Sequence, residues 1–253
     1  MQYLQPFLYF ARKPKTGFSN VLLGCLAPLI PVVGEVVLLG YRAEVSDQLK
    51  RDPDLRDHPD VSLDKLGLYL QRGVWPFVAR LLFAILFVPP ALLLSAAAGF
   101  GVYQLVPEFW LGLGVYASLY FFLAMLGFTL LWPMEYHAQV MRKFAPLEDL
   151  KFAIRFARVC WLSTLISVLM YTMFSFLLTT IGLCLFCVGW YPALVIQQMA
   201  EQHLMTQLYR LYLEEGGEPL VRPALPDDRR RYEDDDDEPV DNLKRARRVE
   251  TEE

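Results

Sequence analysis

The chain has 253 residues, 55% of them hydrophobic and 14% aromatic, with 24 basic and 28 acidic residues for a formal net charge of −4. Such a composition, with a mean hydropathy of +0.29, excludes an ordinary soluble domain of this size and makes a bilayer the expected solvent. Charge is also segregated: no Lys, Arg, Asp or Glu occurs between Thr16 and Gly34, Leu81 and Pro107, Phe109 and Met134, or Val159 and Ala200. The predicted fold class is therefore all-α. It is a polytopic helical membrane protein with two transmembrane hairpins, an N-terminal proline-broken apolar segment and interfacial amphipathic helices.

In chain order, residues 1–17 place Tyr3, Phe7, Tyr9 and Phe10 ahead of Arg12, Lys13 and Lys15. A secretory signal runs basic to apolar, so this reversed order predicts an interfacial segment instead. The first apolar segment, about 18–41, contains "PLIPVVGEVVLLGYR", with Pro28, Pro31, Gly34 and Glu35 inside a run of membrane length. A full crossing puts three basic residues outside, against the positive-inside rule. Bending back at Pro28, Pro31 and Gly34 satisfies that rule but carries Glu35 close to the bend, where it must be protonated or paired, with Arg80 as the available cation. The charge rule favours the re-entrant form over a kinked span. "LLGC" at Leu22 to Cys25 has the look of a lipoprotein cleavage box, but the apolar run before it is short and holds Ser19 and Asn20, so Cys25 reads as a plain membrane cysteine.

The further apolar segments are expected at about 75–106, 109–134, 159–180 and 183–205. The last charge-free block is 42 residues; as one helix it would run about 63 Å, twice a hydrocarbon core of about 30 Å. It must turn inside itself, and Thr179-Thr180-Ile181-Gly182 offers the best turn chemistry. Between segments, six Lys and Arg fall from Arg42 to Arg72 and five from Arg142 to Arg158, while the connections near Glu108 and Thr180 have none. The basic loops should be cytoplasmic, giving two hairpins over 75–142 and 147–212 that both enter and leave on that side. Arg80 should snorkel to the cytoplasmic interface. Trp75, Trp110, Trp132 and Trp161 should form an aromatic belt at the span ends.

The loops hold helices of their own. "SLDKLGLYLQRGVWPF" (62–77) and "PLEDLKFAIRFARVCW" (146–161) share apolar positions at helical spacing and acids in the first turn, the pattern of amphipathic helices lying along the interface. The exits at Trp132 and Trp190 also correspond, each with proline and then Glu-x-His, which points to a two-fold parallel repeat. Within each pair, Glu135 with His137 and Glu201 with His203, the side chains lie about 200° apart on a helix. A shared site would need the two helices to meet. Cys184 and Cys187 form a Cys-x-x-Cys in an apolar helix, where packing explains them better than redox chemistry. From residue 216 to 253 the chain is proline-rich and charged, with "DDRRRYEDDDDEP" followed by "KRARR". That composition predicts a disordered cytoplasmic tail.

The Pro-x-x-Pro-x-x-Gly segment ending in Gly40-Tyr41, the amphipathic lead into "LFAILFVPPALLL" and the Gly-containing last hairpin up to "HLMTQLYRLY" are similar to the prokaryotic membrane family catalogued as domain of unknown function 4013. The resemblance covers residues 18–212. It implies a bacterial or archaeal polytopic protein of the cytoplasmic membrane and carries no activity or site residues.

No phosphate loop, nucleophile elbow, His-Glu-x-x-His or nucleic-acid motif is present in the sequence. The expectation is a non-enzymatic membrane scaffold or adaptor, with no catalytic, cofactor or metal residues. The second reading is a small-solute or lipid transporter of permeation type, with its site at Glu35, Arg80, Pro28, Pro31 and Gly34. Expected partners are the bilayer, a protein docking on the tail and, in a homo-oligomer, a second copy of the chain.

Overall fold

The computed structural model describes residues 3, 7, 14–30, 32–51, 59–106, 108–184 and 189–220, and every regular element among them is helical. In chain order these are α1 (Pro14–Gly24), α2 (Val33–Arg51), α3 (Leu66–Leu105), α4 (Phe109–Met141), α5 (Pro146–Cys184) and α6 (Trp190–Glu214), with 3-10 turns at Ala27–Leu29 and Leu63–Lys65. Each helix from α2 to α6 packs against its successor, and α2 returns to α6, so the five close a ring; α1 lies on α6.

The break in the first apolar segment is where the prolines place it. α1 stops at Gly24, Pro28 sits in the 3-10 turn, and the Gly34 N–H bonds the Ile30 carbonyl at 2.8 Å as α2 begins. Pro31 lies outside the described residues. α2 then runs past the expected end at 41 to Arg51, because Tyr41, Val45 and Leu49 continue a buried stripe. It crosses α3 at two glycines: a Cβ on Gly40 would run into the Tyr69 backbone, and one on Gly73 into the Val36 carbonyl. Only hydrogen at both positions allows the approach. Pro59 is held by side chains, with the Asn20 amide and the Tyr41 hydroxyl both donating to its carbonyl, at 3.1 and 2.8 Å.

Three helices, Leu63–Leu105 (the 3-10 turn with α3), Phe109–Met141 and Pro146–Cys184, are long and apolar enough to cross a membrane. Each is longer than a bilayer needs, and the excess has a different character. Along the stretches 81–130 and 161–184, large apolar side chains such as Ile85, Leu93, Phe122 and Phe176 stand exposed. The α4 end from Leu131 to Val140, the α5 start around Phe152 and Phe156, and the α6 end from Leu204 to Tyr212 instead bury one another. The chain thus has an apolar-surfaced zone and a core-forming zone along the same helices, and α2 belongs mainly to the second.

Several expectations are corrected. The chain does not turn at 179–182: α5 continues to Cys184, with the Thr180 hydroxyl donating to the Phe176 carbonyl at 2.8 Å. That bond stays within the helix and frees no backbone group for a turn. α6 begins at Trp190, and Gly182 approaches the Gly189 carbonyl too closely for a side chain; Cys187 lies outside the described residues. The two lead-in helices each bury one face on protein, while Leu63, Leu66, Leu147, Leu150 and Ile154 stand exposed on the other. Tyr69, Arg72 and Pro76 are buried at the start of α3, as are Asp149, Phe152 and Phe156 at the start of α5. The α5 lead is set off from the remainder by non-helical torsions at Cys160 (φ −119°, ψ 26°). Trp132 is not in a belt, since it is buried edge-on to Tyr171 with ring centres 5.1 Å apart.

Residues 216–220, at the head of the expected tail, fold back on α6. Gly216 takes the left-handed conformation (φ 88°), and the N–H groups of Glu218 and Leu220 donate to the Tyr212 and Tyr209 hydroxyls at 3.2 and 2.7 Å. Burial raises the pKa of both phenols. Residues 221–253, with both charge blocks, lie outside the described residues.

Candidate functional site

Where the two zones meet, four helices direct charged side chains inward. α2 supplies Glu35 and Arg42, α3 Arg80, α4 Glu135, and α6 Glu201 with Gln198 and Gln202. Arg80 is the hub. Its Nη1 pairs with Glu35, and its Nη2 lies 2.8 Å from Glu135 Oε1, 3.0 Å from Glu135 Oε2 and 3.3 Å from Glu201 Oε1. Arg42 lies alongside, donating from Nη2 to Glu201 Oε1 at 3.0 Å, from Nη1 to Gln198 at 2.7 Å and from Nε to Gln202 at 3.2 Å. Gln198 Nε2 closes the circuit on Glu35 at 3.2 Å.

The helices place these groups by simple spacing. Gln198, Glu201, Gln202, Met205, Leu208 and Tyr212 fall on the face of α6 that packs inward. Glu35 occupies the first turn of α2, where a carboxylate also meets the positive end of the helix dipole. Val32, just before it, holds φ of 68°, a costly conformation for a β-branched residue and the point where the break is fixed.

Two guanidinium groups thus face three carboxylates, so full ionisation leaves one negative charge in excess. Burial makes that excess matter: the side chains of Glu135 and Glu201 are 3% and 7% exposed, against 31% for Glu35. Removing such charges from water costs several kcal/mol per ion unless their pairing is nearly complete. Glu135 Oε1, near Arg80 but without an aligned donor, is left without a hydrogen bond.

The cluster forms the polar end of a cavity of about 500 Å³ between α3, α4, α5 and α6. Arg80, Gln197, Gln198 and Glu201 line that end, and Phe83, Phe87, Phe128, Leu131, Trp132 and Tyr171 supply apolar and aromatic wall. Gln197 bonds α5 rather than the charged groups, donating to the Ser175 carbonyl and the Thr179 hydroxyl at 3.0 and 2.7 Å.

Of the residues singled out in the sequence, Glu35 and Arg80 are brought together. Arg80 does not snorkel, because three carboxylates hold its head inside the ring. Pro28 and Gly34 shape the break; a Cβ on Gly34 would strike the Ala27 carbonyl, so they position Glu35 and touch none of the cluster's charges. Glu135 and Glu201, which correspond in the sequence of the two helix exits, meet on Arg80. Their histidines do not join them: His137 Nδ1 instead contacts Asp149 Oδ1 at 2.6 Å, across the α4–α5 turn. Among the described residues no group of three or more His, Cys, Asp or Glu is arranged to hold a metal ion.

Arg42, Gln198 and Gln202 were not anticipated. Arg42 looks like the first residue of a basic loop, and the glutamines like a helix exit. The available signal was polar residues at helical spacing within the apolar stripe of α6, which marks polar groups facing a core. No protein-family model, curated protein or solved structure matches the chain.

Proposed function

We propose that this is an integral protein of a prokaryotic cytoplasmic membrane that admits a lipid-sized amphiphile or small solute from the bilayer into the lateral cavity, a permeation-type rather than enzymatic role. One observation carries the reading: an aromatic-walled cavity ends on a buried, incompletely neutralised Arg–Glu cluster. Buried ionisable groups inside a membrane protein are costly to keep and mark ligand or ion paths. A closed interior at this place would have supported the scaffold reading instead.

In this arrangement the exposed apolar stretches of α3, α4 and α5 face lipid, and the core-forming zone lies at the cytoplasmic interface. The basic residues of the loops and the C-terminus lie on that side. α1 and α2 form the re-entrant element: both pack on α6 and α2 also on α3, while Leu29, Ile30, Val32 and Val33 at the break stand exposed. The prokaryotic setting rests on the resemblance of residues 18–212.

The test uses Trp132, buried in the cavity wall. In a full-length protein whose other four tryptophans are Phe, reconstituted in vesicles, lipids brominated along the chain should quench Trp132 despite its burial, because a chain enters the cavity. Ala91→Phe, which fills the wall, should protect it. Trp132 fluorescence equally insensitive to brominated lipid in both proteins would refute the reading.

A further inference from the structure

The electrostatics of the cavity also constrain its occupant, and we propose that this is a monovalent organic cation with an apolar body. The inference rests on the cavity reading above and adds the sign of the ligand.

Three features carry it. First, the donors that line the polar end already serve acceptors of the cluster: Arg80 donates to Glu35, Glu135 and Glu201, and the Gln198 amide to Glu35. An anionic head would find few donors to receive it. Second, the cavity wall itself offers an acceptor. Glu201 lines the cavity with both arginines on Oε1 alone, whereas Gln202 Nε2, a cluster donor left without a partner, does not line it. The charge count leaves the same sign over, since α2 contributes one carboxylate and one guanidinium, α3 one guanidinium, α4 and α6 one carboxylate each, while α5 presents only the uncharged Tyr171, Thr172 and Ser175. A single positive charge balances the cluster, and a second would exceed it. Third, the adjoining wall presents Phe87, Phe128, Trp132 and Tyr171. Aromatic faces attract a desolvated cation and accept an apolar body at once, whereas a hydrated inorganic ion gains little from them.

Binding of tetraphenylphosphonium and of tetraphenylborate, ions of matched size and shape but opposite charge, tests the inference on full-length protein in lipid nanodiscs. The phosphonium should bind saturably, one per chain, and at least about tenfold more tightly than the borate; Glu201→Gln should weaken it by about tenfold or more. Equal affinity for the two ions in the unaltered protein would overturn the proposal without recourse to any variant. So would unchanged phosphonium affinity in a folded Glu201→Gln protein. If brominated chains quench Trp132 while the phosphonium fails to bind, the sign of the ligand is wrong and the cavity reading stands. If neither enters, both fail.

Discussion

Arg80→Met isolates the term that holds the cluster together. Methionine preserves most of the length and apolar surface of the side chain, so the perturbation is chiefly the loss of one positive charge. Three carboxylates then share Arg42, and the excess rises from one negative charge to two. The three do not suffer equally. Glu35 is 31% exposed and can be hydrated, so its pairing contributes little net stability. Glu201 keeps Arg42 at 3.0 Å. Glu135, with a side chain 3% exposed, keeps only Arg42 at 3.7 Å. The expected cost is therefore close to that of one uncompensated buried charge, about 3–5 kcal/mol. At about 2–4 °C per kcal/mol for a chain of this size, the apparent midpoint of thermal unfolding should fall by about 6–20 °C.

The assay is tryptophan fluorescence on heating in a mild detergent, with loss of the monodisperse peak in size-exclusion chromatography as the second readout. A rescue makes the reasoning refutable. Glu135→Gln in the Arg80→Met background returns the cluster to one excess negative charge and removes the carboxylate left worst off, so it should recover at least half of the lost midpoint. Alone, Glu135→Gln neutralises the excess and should be far milder than Arg80→Met. Additive losses in the double variant would refute the electrostatic account and leave Arg80 a packing residue. A fall of less than 2 °C in Arg80→Met, outside the expected range, would do the same.

Two further outcomes are expected. At the α2–α3 crossing, Gly40→Ala and Gly73→Ala each set a methyl group against the partner backbone, so either should lower stability by about 1–3 kcal/mol or more; Gly67→Ala, where the space is open, should leave the unfolding midpoint unchanged or slightly raised. For topology, single cysteines at Gln5 and Glu215, in a background without the native four, should stay unlabelled by an impermeant thiol reagent on intact cells until the membrane is opened; a cysteine at Glu108 should label at once. Labelling of Gln5 from outside would make residues 18–41 a full crossing and remove the re-entrant element.

How far the sequence led depended on which solvent each residue was arguing with. Exclusion of charge from long blocks reports contact with an apolar medium, and it locates the three long apolar helices and the proline break before Glu35; the fourth expected span, 183–205, falls largely on α6, which is not among the described helices long and apolar enough to cross a membrane. The same reasoning named Arg80 as the partner for Glu35, because an isolated carboxylate near the bend needs a nearby cation. It failed where the helices leave that medium. Past about Leu131, and again from about Ala200, charged and amide side chains reappear, and a reading tuned to the bilayer takes them for an interface. They belong instead to a core of soluble type, in which Trp132, Tyr136, Phe156, Leu208 and Tyr212 exclude water as in any globular domain. In such a core the informative feature is a polar residue repeating on the buried stripe, and Gln198, Glu201 and Gln202 satisfy it. Arg42 does so on α2, one turn from Leu38 and Leu39, which are both buried. Glu135 and Glu201 correspond in the two helix exits, each two positions before a histidine. Geometry separates them: two positions along a helix place each histidine on the far side from its glutamate, so the glutamates converge on Arg80 while His137 turns to Asp149. A junction between a lipid-exposed zone and a packed one is also where a side chain can be buried from water and remain within reach of a ligand arriving through the membrane. That position, more than any single residue type, makes the Arg80 cluster the place to look for function.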